Sequence, residues 1–413
     1  MKIDTTFTIL TLAVVAISGN PAVYVFGREV AYVALFAVFL ALWLLRSVRL
    51  TYKDKLSLGF FALLVTVQIS SFGLVALKAS IGFMITLGIA LLAVRLIPEF
   101  QKRFVQVMYA ISLVSFPFFI PRIFGVDMQR LFNFIRIPLG PNSIDFHIGV
   151  FNLRDEYDGI IRNMSMFWEP GAFAGYLVLA LLFLIRDGKS TFRLSRQGLV
   201  LIVALLSTQS TTGYLTLMAL IIYYLYKSDW AKRTTARLFF LPVLTLCLIG
   251  AVAIAINEFA FLGEKISIQL EEASRKDDFS RLNRFGNFLY DVEWIAQRPI
   301  LGWSATPETR VLLDPEVAEL LSGQGNGLTG FTVKFGLSGL LVYLLCVFSN
   351  TRRLTGSLPF SLFTVGIVSI LLNGEQFLNY PLFLSLIFDT RNKVMPLTGR
   401  ITPVDYKRTR MPV

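Results

Sequence analysis

Residues 167–185 read Phe-Trp-Glu-Pro-Gly-Ala-Phe-Ala-Gly-Tyr-Leu-Val-Leu-Ala-Leu-Leu-Phe-Leu-Ile. Apart from Glu169 the run is uncharged, and its length is close to the roughly 20 residues that a helix needs to cross a bilayer. Pro170 suits the first turn of a helix, where its missing N–H costs nothing. The acid before it favours the positive helix end. The stretch therefore reads as a membrane helix with a carboxylate at its mouth. Glu169 is either a helix cap or a functional carboxylate, because ionisable residues at membrane depth are functional candidates by default. Gly171, Ala172, Ala174 and Gly175 form a small-residue face for close helix packing or substrate access.

The rest of the chain repeats this pattern. Of its 413 residues 55% are hydrophobic and 16% charged, with mean hydropathy +0.64. Ordinary soluble domains have about 45–50% apolar and about 25% charged residues. The balance excludes a disordered chain, a nucleic-acid-binding module and a disulfide scaffold. It predicts an all-α polytopic membrane protein with about 12 transmembrane helices. The predicted spans are 5–25, 29–46, 56–77, 80–97, 104–121, 167–185, 197–210, 212–226, 238–256, 327–348, 359–373 and 376–389. The pair 197–226 is broken around Thr208-Gln209-Ser210-Thr211-Thr212-Gly213, and the last pair at Asn373-Gly374-Glu375. Cys247 and Cys346 lie in apolar runs and read as small buried hydrophobes.

The formal net charge of +12 resolves into two sides. Short basic loops carry Arg46, Arg49, Lys53 and Lys55, then Arg95, Lys102 and Arg103, then Arg186 to Arg196, Lys227 to Arg237, and Arg352 with Arg353. They fall at every second connection, as one cytoplasmic side requires. With Lys2 and the tail, that side holds 24 of the 39 basic and 7 of the 27 acidic residues. Both termini are then expected in the cytoplasm, and the positive charge marks topology rather than a nucleic-acid partner. The organisation is N-terminal helices over 1–121, a first external loop over 122–166, central helices over 167–256, a second external loop over 257–326, C-terminal helices over 327–389 and a basic tail over 390–413. Long loops in a compact protein are usually functional.

In the first loop, Arg162 leads a set of arginines, and His147 is the chain's single histidine. One histidine makes a His-based metal site or a Ser-His-Asp triad a poor reading and a surface or packing role the better one. In the second loop, Leu282, Phe285, Leu289 and Val292 form the apolar stripe of an amphipathic helix over 279–297. Arg281 and Arg284 fall on neighbouring turns, with Asp291 two turns below and Arg298-Pro299 at the end. The arginines either meet headgroups and nearby acids or form guanidinium forks for a phosphate or diphosphate. The acids Glu271, Glu272, Asp277 and Asp278 read as a solvated face. Gln324 and Asn326 could bond sugar hydroxyls from a glycine-rich stretch, and Lys334 lies inside the following span, either snorkelling or binding an anion.

These pieces in this order resemble the O-antigen polymerase and ligase superfamily of bacterial envelope glycan enzymes. The carrying residues are Arg162 with Phe167-Trp168-Glu169-Pro170-Gly171 and Tyr176-Leu177, the Ser210-Thr211-Thr212-Gly213 break, Arg281, Arg284, Trp294, Arg298-Pro299-Ile300-Leu301-Gly302, and Asn326 with Gly336 and Gly339. The ligase branch has a His-Asn pair ten residues before a glycine. Here Asn326 and Gly336 keep the spacing, while Gly325 stands at the His position, which favours a repeat-unit polymerase.

The resemblance implies a metal-independent membrane glycosyltransferase of GT-C type in the bacterial inner membrane, without a cofactor. It would join undecaprenyl-diphosphate-linked oligosaccharides on the periplasmic face, with lipid diphosphate leaving. Membrane lipids and a chain-length regulator protein are the implied partners. Glu169, Arg284 and Asp291 are the expected catalytic residues. Arg162, Arg281, Arg298, Gln324, Asn326, Lys334, Trp168 and Tyr176 are expected to hold diphosphate or glycan. The competing readings are an O-antigen ligase, a transporter or flippase of lipid-linked sugars, and a non-enzymatic assembly partner.

Overall fold

The computed structural model describes residues 5–139, 145–154, 161–187, 195–227, 284–310 and 326–388. Helices dominate: α1 (Thr5–Ile17), α2 (Ala22–Val25), α3 (Arg28–Arg46), α4 (Tyr52–Phe72), α5 (Leu74–Leu96), α6 (Phe100–Ile123), α7 (Met128–Phe132), α8 (Pro170–Asp187), α9 (Arg196–Ser207), α10 (Thr211–Lys227), α11 (Arg284–Gln297), α12 (Gly327–Thr355), α13 (Leu358–Gly374) and α14 (Pro381–Leu384). Among the described residues five helices, α3, α4, α5, α6 and α12, are long and apolar enough to cross a membrane. Helices α1, α8, α9, α10 and α13 are apolar but shorter. The predicted span 238–256 and the tail lie outside the described residues.

Side-chain caps set several helix starts. Thr51 and Asp54 form a reciprocal capping box at α4, and Ser195 and Ser357 accept from backbone amides at α9 and α13. Each satisfies donors that the first turn leaves open. Helix α8 is apolar all round and buried from Ala172 to Phe183, as a central helix must be. It packs against α6, α9 and α10.

Two sequence expectations are corrected, and the all-α expectation stands apart from one small sheet. The run 5–25 is not one helix, because Ser18-Gly19-Asn20-Pro21 interrupts it and Asn20 Oδ1 accepts the Ala22 N–H across the break. The run 376–389 is not a span. It is a 3-10 turn over Phe377–Asn379, the four-residue α14 and a second 3-10 turn over Ser385–Ile387. Glu375 is extended there, and Pro381 disfavours a helical residue before it. Finally, the fold is all-α except for a small antiparallel sheet in the first loop, with β1 (Ile137–Pro138), β2 (Phe146–His147) and β3 (Asn152–Leu153). Ile137 faces His147, and Phe146 faces Leu153. The sheet forms because this loop owns a core: Phe119, Met128, Phe146, Phe151 and Leu153 are buried together.

Short links at 47–51 and Gly73 make α3, α4 and α5 run antiparallel. Their two ends are named below the Arg28 end and the Arg95 end.

Candidate functional site

Four interruptions of helical structure meet near the Arg28 end. At the first, Gly19 O accepts from Trp168 N–H at 3.1 Å, and the Tyr176 hydroxyl donates to Ser18 O at 2.5 Å. The second is the Phe167-Trp168-Glu169 turn before α8. The third is residues 373–380. Trp168 stacks on Tyr380 with ring centroids 4.9 Å apart, and the Tyr380 and Tyr24 hydroxyls are 2.7 Å apart. Arg28 lies 4.9, 5.3 and 5.5 Å from the ring centroids of Tyr24, Tyr32 and Tyr380, an arrangement in which ring faces attract the guanidinium. The small-residue face of α8 is spent on packing: a Cβ on Gly175 would sit 2.1 Å from the Phe377 ring.

The fourth interruption lies inside α12, where Gly336 has φ 69° and ψ 175°. Residues 299–304 fill the gap. Leu337 N–H donates to Pro299 O at 2.7 Å, Trp303 N–H to Val333 O at 2.8 Å and Ser304 N–H to Lys334 O at 3.0 Å. Gln68 Nε2 donates to Leu301 O and Lys334 O at 2.6 and 2.7 Å. Broken backbone at membrane depth persists where protein groups satisfy it in this way. A Cβ on Gly336 would stand 1.9 Å from Ile300 O, and one on Gly302 2.5 Å from Gly336 N. Both glycines also have positive φ, so the close crossing requires them. The motif Pro299 to Gly302 and the motif around Gly336 are thus one structural unit.

Lys334 emerges beside this break. Its Nζ donates to Asn379 Oδ1 at 2.9 Å. Arg310, Arg28 and Asp291 lie within electrostatic reach of its ammonium. Arg310 Nε is buried without a hydrogen-bond partner among the described residues. Asp291 is buried and accepts from the Thr329 hydroxyl at 2.5 Å. Burial raises its carboxyl above the usual range, opposed by the Thr329 bond and by Arg310 and Lys334. Two more carboxylates flank Gly171, where a Cβ would lie 2.9 Å from Glu375 Oε1 and 3.8 Å from Glu169 Oε1. The cation group is Lys334, Arg310 and Arg28 with Asp291 as its carboxylate, while Glu169 and Glu375 stand beside Gly171, next to the stacked Trp168–Tyr380 platform. The parts of the site come from the starts of α3, α8 and α12, from α11, from the segment ending at Arg310 and from the 373–380 segment. Among the described residues no three His, Cys, Asp or Glu side chains form a metal-holding group.

The expected residues divide. Trp168, Glu169, Asp291, Asn326 and Lys334 belong to this site. Asn326 caps α12, its Oδ1 accepting from Leu328 and Thr329 amides at 2.9 and 3.3 Å, while its Nδ2 donates to Asn373 Oδ1. Arg162 instead closes the end of α9, donating to Thr208 O and Gln209 O, both at 3.1 Å. Tyr176 is fully buried and serves packing. Arg298 sits over Phe72 and Trp303 at 4.4 and 5.2 Å. Arg284 is the first residue of α11; Arg281 and Gln324 lie outside the described residues. Arg28, Arg310, Glu375, Asn379 and Tyr380 were not anticipated. The visible signal was the helix-breaking context of the last three, Asn373-Gly374-Glu375 and Asn379-Tyr380-Pro381.

Of the two roles open to His147, surface or packing, burial decides for packing. The side chain is fully buried. Nδ1 accepts from Gly149 N–H at 2.8 Å, so Nε2 carries the proton and donates to Met166 O at 3.2 Å. Burial pushes its pKa down to about 4.

Comparison of the chain with protein-family models, with curated proteins and with solved structures found no match.

Proposed function

We propose that this chain is a membrane glycosyltransferase that polymerises undecaprenyl-diphosphate-linked oligosaccharide repeat units. In this reading it has about twelve spans in a GT-C-like arrangement, sits in a bacterial inner membrane and keeps both termini cytoplasmic. One observation carries the reading. Lys334 and Arg310, from separate segments, share one carboxylate, Asp291, and Arg28 from a third segment stands within electrostatic reach of Lys334. Such a surplus of cations suits a diphosphate whose charge grows as it leaves. The acceptor hydroxyl attacks the anomeric carbon of the donor glycan. The bond from that carbon to the diphosphate oxygen breaks, and lipid diphosphate departs with the electron pair. The hydroxyl proton passes to a carboxylate, for which Glu169, Glu375 and Asp291 are placed. The Trp168–Tyr380 stack offers a flat apolar face with polar edges, which suits a sugar ring. Arg281 and Arg284 on the second loop complete the proposed diphosphate contacts.

The deciding experiment gives purified full-length protein in nanodiscs lipid-linked repeat units and no other enzyme. A ladder of lengthened glycans is expected; no growth under these conditions would overturn the reading. In cells, Glu169→Ala and Arg284→Ala should leave the protein in the membrane and abolish long chains, with single lipid-linked units retained on the outer leaflet. Retention on the inner leaflet would identify a flippase instead. Thiols introduced as Gly140→Cys and Leu270→Cys should react from the outside, and labelling from the cytoplasm would reverse the assigned orientation.

A further inference from the structure

Helix α6 is long and apolar enough to cross a membrane, and it ends at Ile123. Its exposed side carries Leu113, Val114 and Ile120, which suit contact with acyl chains. The chain then leaves the helix without becoming polar. Phe124 is 81% exposed and Phe134 82%, and Ile123, Leu131 and Ile135 are exposed as well. A contiguous apolar surface of this kind marks an interaction site. Arg130 and Arg136 are exposed beside it. The nearby acid Asp127 is engaged as the cap of α7, accepting the Arg130 N–H at 2.9 Å. Apolar side chains flanked by arginines have the composition of a segment that lies in the membrane interface. Position selects lipid as the occupant. The patch starts at the last turn of α6 and continues the exposed side of that helix, so the bilayer that meets Ile120 also reaches Ile123 and Phe124.

The inner side of the same segment belongs to the core of the first loop. Met128 is buried with Phe119, Phe146, Phe151 and Leu153, and Phe132 packs against them. Arg136 lies 5.3 Å from the Phe146 ring centroid, and Arg122 Nη2 donates to Arg154 O at 3.0 Å. The small sheet built on this core reaches the candidate site. It holds three successive carbonyls just before Trp168. Asn152 N–H donates to Ser165 O at 2.7 Å, His147 Nε2 to Met166 O at 3.2 Å and Asn152 Nδ2 to Phe167 O at 3.2 Å. Asn20 Nδ2 donates to Gly149 O at 3.0 Å, which ties the sheet to the first interruption as well. One rigid path therefore runs from the exposed apolar patch to the Trp168-Glu169 turn.

We propose that residues 123–136 are an interfacial anchor. Phe124, Leu131 and Phe134 sit at the boundary of headgroups and acyl chains in the leaflet where α6 ends, with Arg130 and Arg136 among anionic headgroups. The anchor fixes the height of the three-stranded sheet at that leaflet. Through the carbonyls of Ser165, Met166 and Phe167 it fixes the Trp168-Glu169 turn. The inference goes beyond the glycosyl-transfer reading and stands without it, because it uses only the apolar helices and the loop bonded to them.

The test puts single nitroxide labels on full-length protein, one copy per nanodisc of phosphatidylethanolamine and phosphatidylglycerol, with both native cysteines replaced by alanine. Labels at Phe124→Cys, Leu131→Cys and Phe134→Cys are expected to meet oxygen far more than a water-soluble nickel complex. Their oxygen-to-nickel collision ratios should lie within about threefold of the ratio at Ile120→Cys on α6. Ratios like that of a free label in water would overturn the proposal. Labels shielded from both reagents would mean that protein covers the patch, and would overturn it too. The link to the site is tested with Phe124→Ser and Phe134→Ser combined, folding being checked by the thermal midpoint. Amide exchange at Asn152 and Trp168, whose N–H groups bond Ser165 O and Gly19 O, should quicken about tenfold while exchange within α6 stays unchanged. Unchanged exchange at both amides would overturn the positioning role. If the double variant does not fold, Phe134→Ser alone decides.

Discussion

Arg95 in α5 and Lys334 in α12 are both cations inside helices long and apolar enough to cross a membrane, and they are held in opposite ways. Arg95 is fully buried and reaches Asp54 Oδ1 at 2.5 Å and the Thr51 hydroxyl at 3.3 Å. Asp54 also accepts the Thr51 N–H at 2.8 Å. Charge there cancels one to one, and the bonds tie the start of α4 to the end of α5. Lys334 has no carboxylate within ion-pair distance among the described residues. Its hydrogen bond goes to the neutral Asn379, and two further cations stand near. A cancelled charge holds helices together. A surplus at a break in the fold is a place for an anion to arrive.

The largest effect should come from breaking the cancelled pair. Arg95→Met leaves Asp54 buried and unpaired, a change that costs about 3–5 kcal/mol. Denaturation in detergent should show that loss, and Arg95→Met with Asp54→Asn should recover much of it, since the asparagine can still cap α4. A single variant as stable as the parent would remove the structural assignment. The surplus side should behave the other way. Lys334→Met should leave the thermal midpoint within a few degrees and cut chain growth about 100- to 1,000-fold, the range for losing one donor to developing charge. Lys334→Arg should retain part of the rate. Collapse of the fold with normal turnover per folded molecule would erase the contrast.

Part of this contrast is readable in the sequence, and the unread part has a physical cause. Apolar runs located α3 to α6, with ends displaced by up to six residues, because one continuous hydrophobic stretch makes one helix. The same rule failed at 5–25 and 376–389. There, Asn20-Pro21 and Asn379-Tyr380-Pro381 stop the helix without interrupting hydrophobicity. Trp168, Glu169, Asp291, Asn326 and Lys334 were legible as polar groups at or in apolar segments. Arg162 looked the same, yet it caps α9, because a guanidinium two strides before a span can serve a helix end as well as a ligand. Arg28 and Arg310 were hidden. Their role arises only when segments about 280 residues apart are brought together, and nothing local marks them.

A third buried cation-forming group, His147, sharpens the cancelled case through pH. Its partners are a backbone donor and a backbone carbonyl, so the fold accepts the neutral ring. The folded pKa of about 4 lies below the unfolded value near 6.5. The unfolded chain therefore binds the proton first as pH falls, and stability drops between about 6.5 and 4. The full loss approaches about 3 kcal/mol. Denaturation midpoints measured across that window should fall in the parent, and the fall should flatten in His147→Gln. An unchanged slope in the variant would assign the acid sensitivity elsewhere.

Asp291 tests the surplus side by the smallest effect. Its carboxyl is raised by burial while Arg310 and Lys334 oppose the rise, so it is sensitive to anything that neutralises those cations. If it takes the acceptor proton, the rate should fall as pH drops through a pKa above the ordinary carboxylate range, because only the deprotonated form can act as base. Asp291→Asn keeps an acceptor for the Thr329 hydroxyl and removes the titration. It should lower chain growth about tenfold and abolish that acid limb, within the range for losing a general base whose neighbours can stand in. Glu169→Gln and Glu375→Gln, measured in parallel, show which carboxylate owns the limb. Persistence of the limb in Asp291→Asn with its disappearance in Glu375→Gln would move the base to the 373–380 break. Asp291 would then be left as the counter-charge shared by Arg310 and Lys334.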